Sequence, residues 1–386
     1  MMRIGIEAQR LLRPHKHGMD RVALELIRNL QLIDKENEYF IFVKSDQDKG
    51  IIPNTQNFKI IEIPGGPYPF WEQFKLPKLV KKYNCDILHC TANTAPLIMK
   101  TPLITTLHDI IFKESNLIKQ LSSSASWYQK LGNLYRRVIV QKVVKNSKFL
   151  ITVSNFEKEN ITNTFNINDK NLKVIHNGVN EKFTDKIKKQ SKAEIKLKYG
   201  LPDCFLLHIG NTNPRKNTKG VIEAFYQYLI NSSTDCKLVL IGLNQSKLNT
   251  IVDDTDLLAR LKDKIVFTGY VIDQDLPVIF SMAQVFLFPS LREGFGIPII
   301  EAMACGIPVI TSTTSSMPEV AGNAAYLVDP YKTEDIYEGI VKILSDPDFK
   351  NELINKGLEH YKLFSWKNTA QDVLELYKQL YKAQKN

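Results

Sequence analysis

The sequence predicts an α/β chain built as two doubly wound domains in tandem, and three observations predict it. Short apolar runs of strand type alternate with helical segments along the chain; the alternation restarts after a lysine-rich stretch near residue 190; and glycine-containing turns stand where strands end and helices begin. With 386 residues there is room for two domains of roughly 150 to 200 residues, each with a sizeable core.

The first series of strand-like runs is MRIGIEA (2–8), YFIFVK (39–44), KIIEIP (59–64), CDILHC (85–90), PLITTLH (102–108), KFLITVS (148–154) and LKVIHN (172–177). Continuous apolar strands separated by helices call for a parallel sheet covered on both faces. The polar stretch NEKFTDKIKKQSKAEIKLKYGLP (180–202) interrupts the pattern, so the expected domains are residues 1–190 and 191–365. The second series is CFLLHIG (204–210), CKLVLIG (236–242), KIVFTGY (264–270), VFLFPS (285–290), IPVIT (307–311) and AAYLVD (324–329). Helices are expected around 218–230, 248–262, 274–283, 298–305 and 317–321, and an amphipathic helix closes the chain within 366–386. Two such domains are expected to face a central cleft, with ligands beyond the carboxyl ends of the strands.

Composition narrows the class. The chain is 44% hydrophobic and 24% charged, as an ordinary globular protein is. Arg3, Glu7 and Arg10 interrupt any secretory signal, and no apolar run reaches the ~18 to 20 residues of a membrane span, so a cytoplasmic location is expected. Cys85, Cys90, Cys204, Cys236 and Cys305 show no metal-ligand spacing and are expected as reduced core thiols. Residues 1–190 carry 30 Lys and Arg against 18 Asp and Glu, whereas residues 191–386 carry 21 against 23. The basic half suits an anionic acceptor or peripheral contact with the anionic inner face of a membrane, or serves solubility alone. No nucleic-acid module accompanies the charge, so nucleic acid is not an expected partner.

The most informative segment is REGFGIPIIEAMACGIPVI (292–310). A glycine loop leading into a helix offers backbone N–H groups to phosphate. Glu293 and Glu301 fit that guest only if they face another part of the same ligand, and an ionised carboxylate accepts well from hydroxyl groups. A ligand with both phosphates and diols is a nucleotide-sugar. Taken singly, each glutamate is also what a helix dipole favours in a first turn.

Three further segments stand at strand ends. GNTNPRKN (210–217) places Arg215 and Lys216 where they suit a diphosphate leaving group, with surface solvation as the plain alternative. Gly18, in HKHGMDRVALELI (15–27), lets backbone approach a ligand or simply makes the turn; His15 and His17 beside it lack a third ligand for a metal. TTLHDI (105–110) puts His108 and Asp109 at a carboxyl edge, where they suit a role in the cleft or form a hydrogen-bonded structural pair. DDTD (253–256) has metal-chelating spacing but no preceding apolar strand, so it is read as surface, and a metal-independent reaction is expected.

With these residues in place, the sequence resembles glycosyltransferase family 4, the retaining GT-B glycosyltransferases, many of them mannosyl- or glucosyltransferases of bacterial surface polysaccharides. The resemblance runs over nearly the whole chain and is most specific in Glu293-GFGIPII-Glu301, then AMACGIPVI and MPEVAG. It implies that Glu293 contacts the transferred sugar, that Glu301 binds the ribose hydroxyls, and that Lys216 meets the donor phosphates. Backbone of Gly294, Phe295 and Gly296 would line phosphate and sugar, Gly18 would belong to the amino-terminal loop, and His108 would stand near the reacting sugar. It also implies that the last helix crosses back onto the first domain. Many members have Gly-Arg where this chain has Gly210-Asn211, which leaves Arg215 to take the cationic role.

The implied activity is transfer of a hexose from a GDP- or UDP-sugar to an acceptor hydroxyl of a glycan or lipid-linked saccharide, with retention and with no cofactor. Front-face attack assisted by the leaving phosphate is the expected mechanism, ahead of a Glu293 nucleophile. A non-hydrolysing nucleotide-sugar 2-epimerase and a non-catalytic donor-binding scaffold are the alternatives. The aromatic and basic stretches GGPYPFWEQFKLP (65–77) and SSSASWYQKLGNLYRR (122–137) are expected near the acceptor, or in the core.

Overall fold

The computed structural model describes residues 1–114 and 127–385, so residues 122–126 of the second aromatic stretch lie outside the described residues. The chain divides into two compact units, Met1–Gly178 with Ser365–Asn386, and Val179–Phe364. The first division falls at Gly178, ahead of residue 190, because Phe183 is already buried against Phe280 of the second unit, ring centroids 5.9 Å apart.

The first unit has a parallel sheet of β1 (Arg3–Glu7), β2 (Glu38–Lys44), β3 (Phe58–Ile63), β4 (Ile87–Cys90), β5 (Leu103–Leu107), β6 (Phe149–Thr152) and β7 (Leu172–Val174), in the order β3-β2-β1-β4-β5-β6-β7. The second has β8 (Phe205–Ile209), β9 (Lys237–Ile241), β10 (Ile265–Gly269), β11 (Val285–Phe288), β12 (Val309–Ser312) and β13 (Tyr326–Val328), in the order β10-β9-β8-β11-β12-β13 and also parallel. Central strands such as β8 and β11 are buried on both faces, hence their unbroken apolar runs. In each sheet the winding direction reverses at the middle, between β1 and β4 and between β8 and β11. Loops leaving those paired strands diverge to opposite faces and open a crevice at their carboxyl ends.

The C-terminal helix Trp366–Ala383 belongs to the first unit. Its apolar face, Ala370, Val373, Leu374, Tyr377 and Leu380, recurs at helical spacing and packs with Ile4, Leu24, Ile27 and Tyr39 in one core. Gly178 is required where this helix begins: a Cβ there would stand 2.1 Å from the Trp366 nitrogen. Inside the core the Tyr377 hydroxyl lies 2.7 Å from His89 Nδ1, and His89 Nε2 lies 2.8 Å from Thr106 Oγ1. Burial, then His108, holds His89 down at about 3, so it is neutral and both ring nitrogens are used.

Two further expectations change. The segment expected as one helix over 248–262 is a short 3₁₀ turn, Gln245–Thr250, and a separate helix, Thr255–Arg260, because Asp254 caps the latter by accepting the Leu257 N–H at 2.9 Å. Asp253, Asp254 and Asp256 are all exposed. Cys204 and Cys236, expected as reduced thiols, are bonded to each other. They immediately precede β8 and β9, whose register sets Phe205 opposite Lys237 and so brings the two cysteines side by side, Cα atoms 4.6 Å apart. Cys85, Cys90 and Cys305 are buried free thiols; burial pushes Cys85 up to about 12.

Replacing Tyr377 with Phe leaves a buried imidazole nitrogen unpaired, and should lower the stability of the first unit by about 1–3 kcal/mol. Urea unfolding of the full chain checks this; an unchanged midpoint would show that the Tyr377–His89 bond contributes nothing net.

Candidate functional site

The site is built from the loops that leave β8 and β11, the paired strands at the reversal point of the second sheet. After β8 the chain turns at Gly210, where a Cβ would come within 2.5 Å of Leu243 Cδ1. Asn213 Oδ1 accepts the Arg215 N–H at 3.1 Å and opens the 3₁₀ turn Pro214–Lys216. Asn217, at φ +55°, then redirects the chain into the helix Thr218–Ile230. Its side-chain amide donates to Pro289 O at 3.1 Å and Pro330 O at 2.7 Å, while Leu291 N–H donates to Arg215 O at 2.7 Å. The two loops are thereby stitched together.

The stitching brings three charges into one cluster. Lys216 Nζ stands 2.6 Å from Glu293 Oε1, and Arg215 Nη1 stands 3.1 Å from Glu293 Oε2. Arg215 also donates to Arg292 O at 3.1 Å, and Lys216 Nζ lies 5.1 Å from the centre of the Phe288 ring. Only 8% of Glu293 is exposed. Burial opposes its ionisation, but Lys216 and then Arg215 outweigh burial and hold the carboxyl below its usual range. Arg215 and Lys216 thus share one carboxylate, while Asn211 takes the Asn213 N–H at 2.8 Å.

Beyond Glu293 the loop passes Gly294, Phe295 and Gly296 into the helix Ile297–Ala304. Gly296 is at φ +112°, where a side chain would be strained, and Phe295 is buried edge-on to Phe364, centroids 5.7 Å apart. Pro298 occupies the first turn and Glu301, nine-tenths buried, lies in the second.

Sequence reasoning passed over the partner of this loop. The segment 311–316, TSTTSS, runs beside it and fastens it through side-chain hydroxyls. Ser315 Oγ accepts the Glu293 N–H at 3.0 Å and lies 2.6 Å from Glu293 O, and Ser316 Oγ lies 3.0 Å from Glu293 O and 2.8 Å from Phe295 O. Six consecutive hydroxyl residues after a strand-like run were the available signal.

In the first unit, His108 follows β5. Its N–H donates to Asn93 Oδ1 at 2.8 Å, and its Nε2 stands 2.8 Å from the Thr91 carbonyl, which can only accept. The ring proton is therefore on Nε2. Burial pulls His108 below its usual range, leaving it neutral with Nδ1 as an acceptor. Asp109 Oδ1 takes the Ile111 N–H at 3.2 Å. Gly18 begins the helix Gly18–Ile33; its backbone has no need of glycine, and a Cβ there would meet no atom within 4 Å. Two buried carboxylates, Glu7 and Glu72, were not read as site residues from the sequence. Glu72 takes hydrogen bonds from Tyr68, Thr94, Gln73 and Tyr135, and burial, then Glu72, pushes Glu7 up to about 7.

Two Rossmann-like units, the second with basic and acidic side chains at its reversal point, have the layout of the GT-B glycosyltransferases. The structure of Anabaena Alr3699/HepE in complex with UDP-glucose has this fold, with a TM-score of 0.74 over 98% of this chain and 100% of that one at 16% identity. The lipopolysaccharide glycosyltransferase WaaG gives 0.73 over 97% and 99% at 12% identity. The Glycosyltransferase Family 4 model matches residues 17–183 and the Glycosyl transferases group 1 model residues 186–360. O-antigen chain mannosyltransferase RfbU of Salmonella typhimurium is 30% identical over 73% of this chain and 70% of its own length. O-antigen chain mannosyltransferase B of Escherichia coli is 29% identical over 72% and 70%. The serotype-specific mannosyltransferase WbdA of Escherichia coli is 34% identical over 48% of this chain, which spans only 23% of it. The chain belongs to glycosyltransferase family 4.

Because the Glu293 pKa is lower folded than unfolded, its contribution to stability is present above the ordinary carboxylate range and is lost as pH falls through the depressed value. Thermal unfolding followed from about pH 6 to about pH 3 should show a steeper loss for the wild type than for Glu293→Gln. Parallel curves would mean that the ion pairs do not stabilise the carboxylate.

Proposed function

We propose that this glycosyltransferase takes a hexose of mannose or glucose type from a GDP- or UDP-sugar and passes it to a hydroxyl of a glycan or lipid-linked saccharide in surface polysaccharide assembly, with retention and without a metal ion. The observation that carries the reading is the Glu293 carboxylate shared by Arg215 and Lys216 at the reversal point of the sheet. A diphosphate presents oxygens that accept from the same N–H donors, so its arrival frees Glu293 for the hydroxyls of the sugar. Arg215 and Lys216 then stabilise the charge that grows on the departing nucleoside diphosphate, the role a metal has elsewhere. Backbone of Gly294, Phe295 and Gly296, at the start of the helix, adds its dipole to the phosphate and sugar, and Glu301 accepts from the ribose diol. In the first unit, His108 offers Nδ1 to a sugar hydroxyl and Gly18 leaves its helix start open to the donor. The anomeric carbon–oxygen bond to phosphate breaks as the bond to the acceptor oxygen forms on the same face, and the acceptor proton passes to the leaving phosphate. The curated relatives named as O-antigen chain mannosyltransferases support the sugar and the setting.

We further place this reaction in the cytoplasm, at the inner face of the membrane. No described helix is long and apolar enough to cross a membrane. The helix Trp127–Asn146 exposes Leu131, Leu134 and Val138 on one stripe, and Phe70 and Phe74 are exposed in the segment beside its Tyr135. Apolar side chains within a basic domain suit an anionic bilayer surface.

Calorimetric titration of the metal-stripped protein in EDTA with GDP, UDP, ADP and their common sugar conjugates tests the donor site. One nucleotide should bind selectively, and Glu301→Ala should weaken it about 10- to 100-fold, the worth of hydrogen bonds to a charged group. Absence of binding by all of them would overturn the metal-free donor site. Flotation with anionic and zwitterionic vesicles tests the membrane: the wild type should float with the anionic ones and Leu134→Asp/Val138→Asp should not, whereas equal behaviour of the two proteins would remove that surface from the account.

A further inference from the structure

The hydroxyl groups of residues 311–316 form a ladder that starts at the carboxyl ends of β11 and β12 and runs on beyond them. Thr311 Oγ1 donates to Phe288 O at 2.9 Å, Ser312 Oγ to Ser290 O at 2.5 Å and Thr314 Oγ1 to Leu291 O at 3.2 Å. Ser315 Oγ reaches Glu293 O and Ser316 Oγ reaches Glu293 O and Phe295 O, so the carbonyls of the neighbouring loop are taken in order from Phe288 to Phe295. Thr313 alone turns the other way, to Val328 O of β13 at 3.2 Å.

Ser315 is the rung that meets Glu293. It stands at φ +61°, a region that L side chains rarely adopt; the other non-glycine residues there among the described ones are Asn84, Asn93, Asn166 and Asn217. Glycine would relieve that strain, but it has no hydroxyl. Serine in this conformation places Oγ against both the N–H and the C=O of Glu293 and takes a third bond from Arg292 Nη1 at 3.2 Å. Strain retained at a residue that grips a site points to a role for the grip.

We propose that Ser315, seated on this hydroxyl ladder, is the positioning residue that holds the Glu293 backbone in register with the donor sugar while its side chain exchanges partners. The proposal rests on the reading that Glu293 faces that sugar. The carboxylate is anchored by Arg215 and Lys216, the groups a diphosphate claims. Once they are claimed, the side-chain anchor is gone and the backbone anchor remains. Ser316, fully buried, makes the same hold on Phe295 O, so the short loop between the two contacts moves with the sheet.

The test compares Ser315→Gly, Ser316→Ala and Thr313→Val in the full chain, using GDP with GDP-mannose and UDP with UDP-glucose as calorimetric probes. For whichever pair binds, Ser315→Gly should keep nucleoside diphosphate affinity within about two-fold and cut the sugar conjugate's advantage over the diphosphate about ten-fold, the scale of one charge-assisted hydrogen bond. Thr313→Val, which removes a hydroxyl turned away from the loop, should leave the sugar advantage unchanged. Hydrogen exchange without nucleotide supplies a second readout: the Glu293 amide should exchange at least ten-fold faster in Ser315→Gly and at the wild-type rate in Thr313→Val. A full sugar advantage in Ser315→Gly, or unchanged exchange at Glu293, overturns the proposal. Failure of the wild type to bind any probe overturns the donor reading instead, and this inference with it.

Discussion

Backbone pairing between β8 and β11 is the constraint on which the site depends. The strands lie about 80 residues apart in the chain, yet Leu206 pairs with Val285 and His208 with Leu287 in the middle of a sheet buried on both faces. Everything after their carboxyl ends inherits that register. Arg215 and Lys216 leave from one strand and Glu293 from the other, and because the connections on the two sides diverge, their loops meet over the sheet rather than cover it. A one-residue slip would turn alternate side chains to the other face and separate the charges.

Electrostatics and hydrogen bonding then divide the work. Charge assembles the cluster, since a carboxylate this deeply buried is ionised only beside its two cations. Uncharged donors shape it. Asn217 ties the β8 loop to Pro289 and Pro330, and the hydroxyl ladder ties the β11 loop to the continuation of β12. The strand beneath contributes no charge of its own. His208, whose Nδ1 lies 2.8 Å from Leu287 O, is held by burial at about 4 and stays neutral below Lys216. The cationic character of the site therefore resides in the Arg215 and Lys216 side chains.

The first unit shows the same economy of means with different chemistry. Its reversal point carries Glu7 at the end of β1, and the nearby polar cluster is organised by hydroxyls around Glu72 rather than by cations. Burial raises both carboxyl groups, and burial keeps His108 neutral beside Thr91 and Asn93, which fix its tautomer and its backbone. One unit presents paired charges and the other buried carboxyl groups ringed by uncharged donors, a contrast that follows the basic and near-neutral halves of the chain only in part.

The thirteen strands among the described residues were legible in the sequence because doubly buried parallel strands must be apolar throughout, and polar, glycine-bearing turns delimit them. The glycine loop with Glu293 and Glu301, the Arg215-Lys216 turn and the surface character of DDTD were legible too, since each depends on a local run of residues beside a strand end. Contacts between distant segments were not. The meeting of Cys204 with Cys236 depends on the register of β8 against β9, the extent of the second unit on Phe183 packing against Phe280, and the grip of Ser315 on Glu293 on the pairing of β11 with β12. The sequence by itself determined which residues make strands, helices and polar turns, because those choices follow from local periodicity and backbone preference. Only the tertiary structure decided which turns became neighbours, because strand order and register are set by the packing of whole sheets.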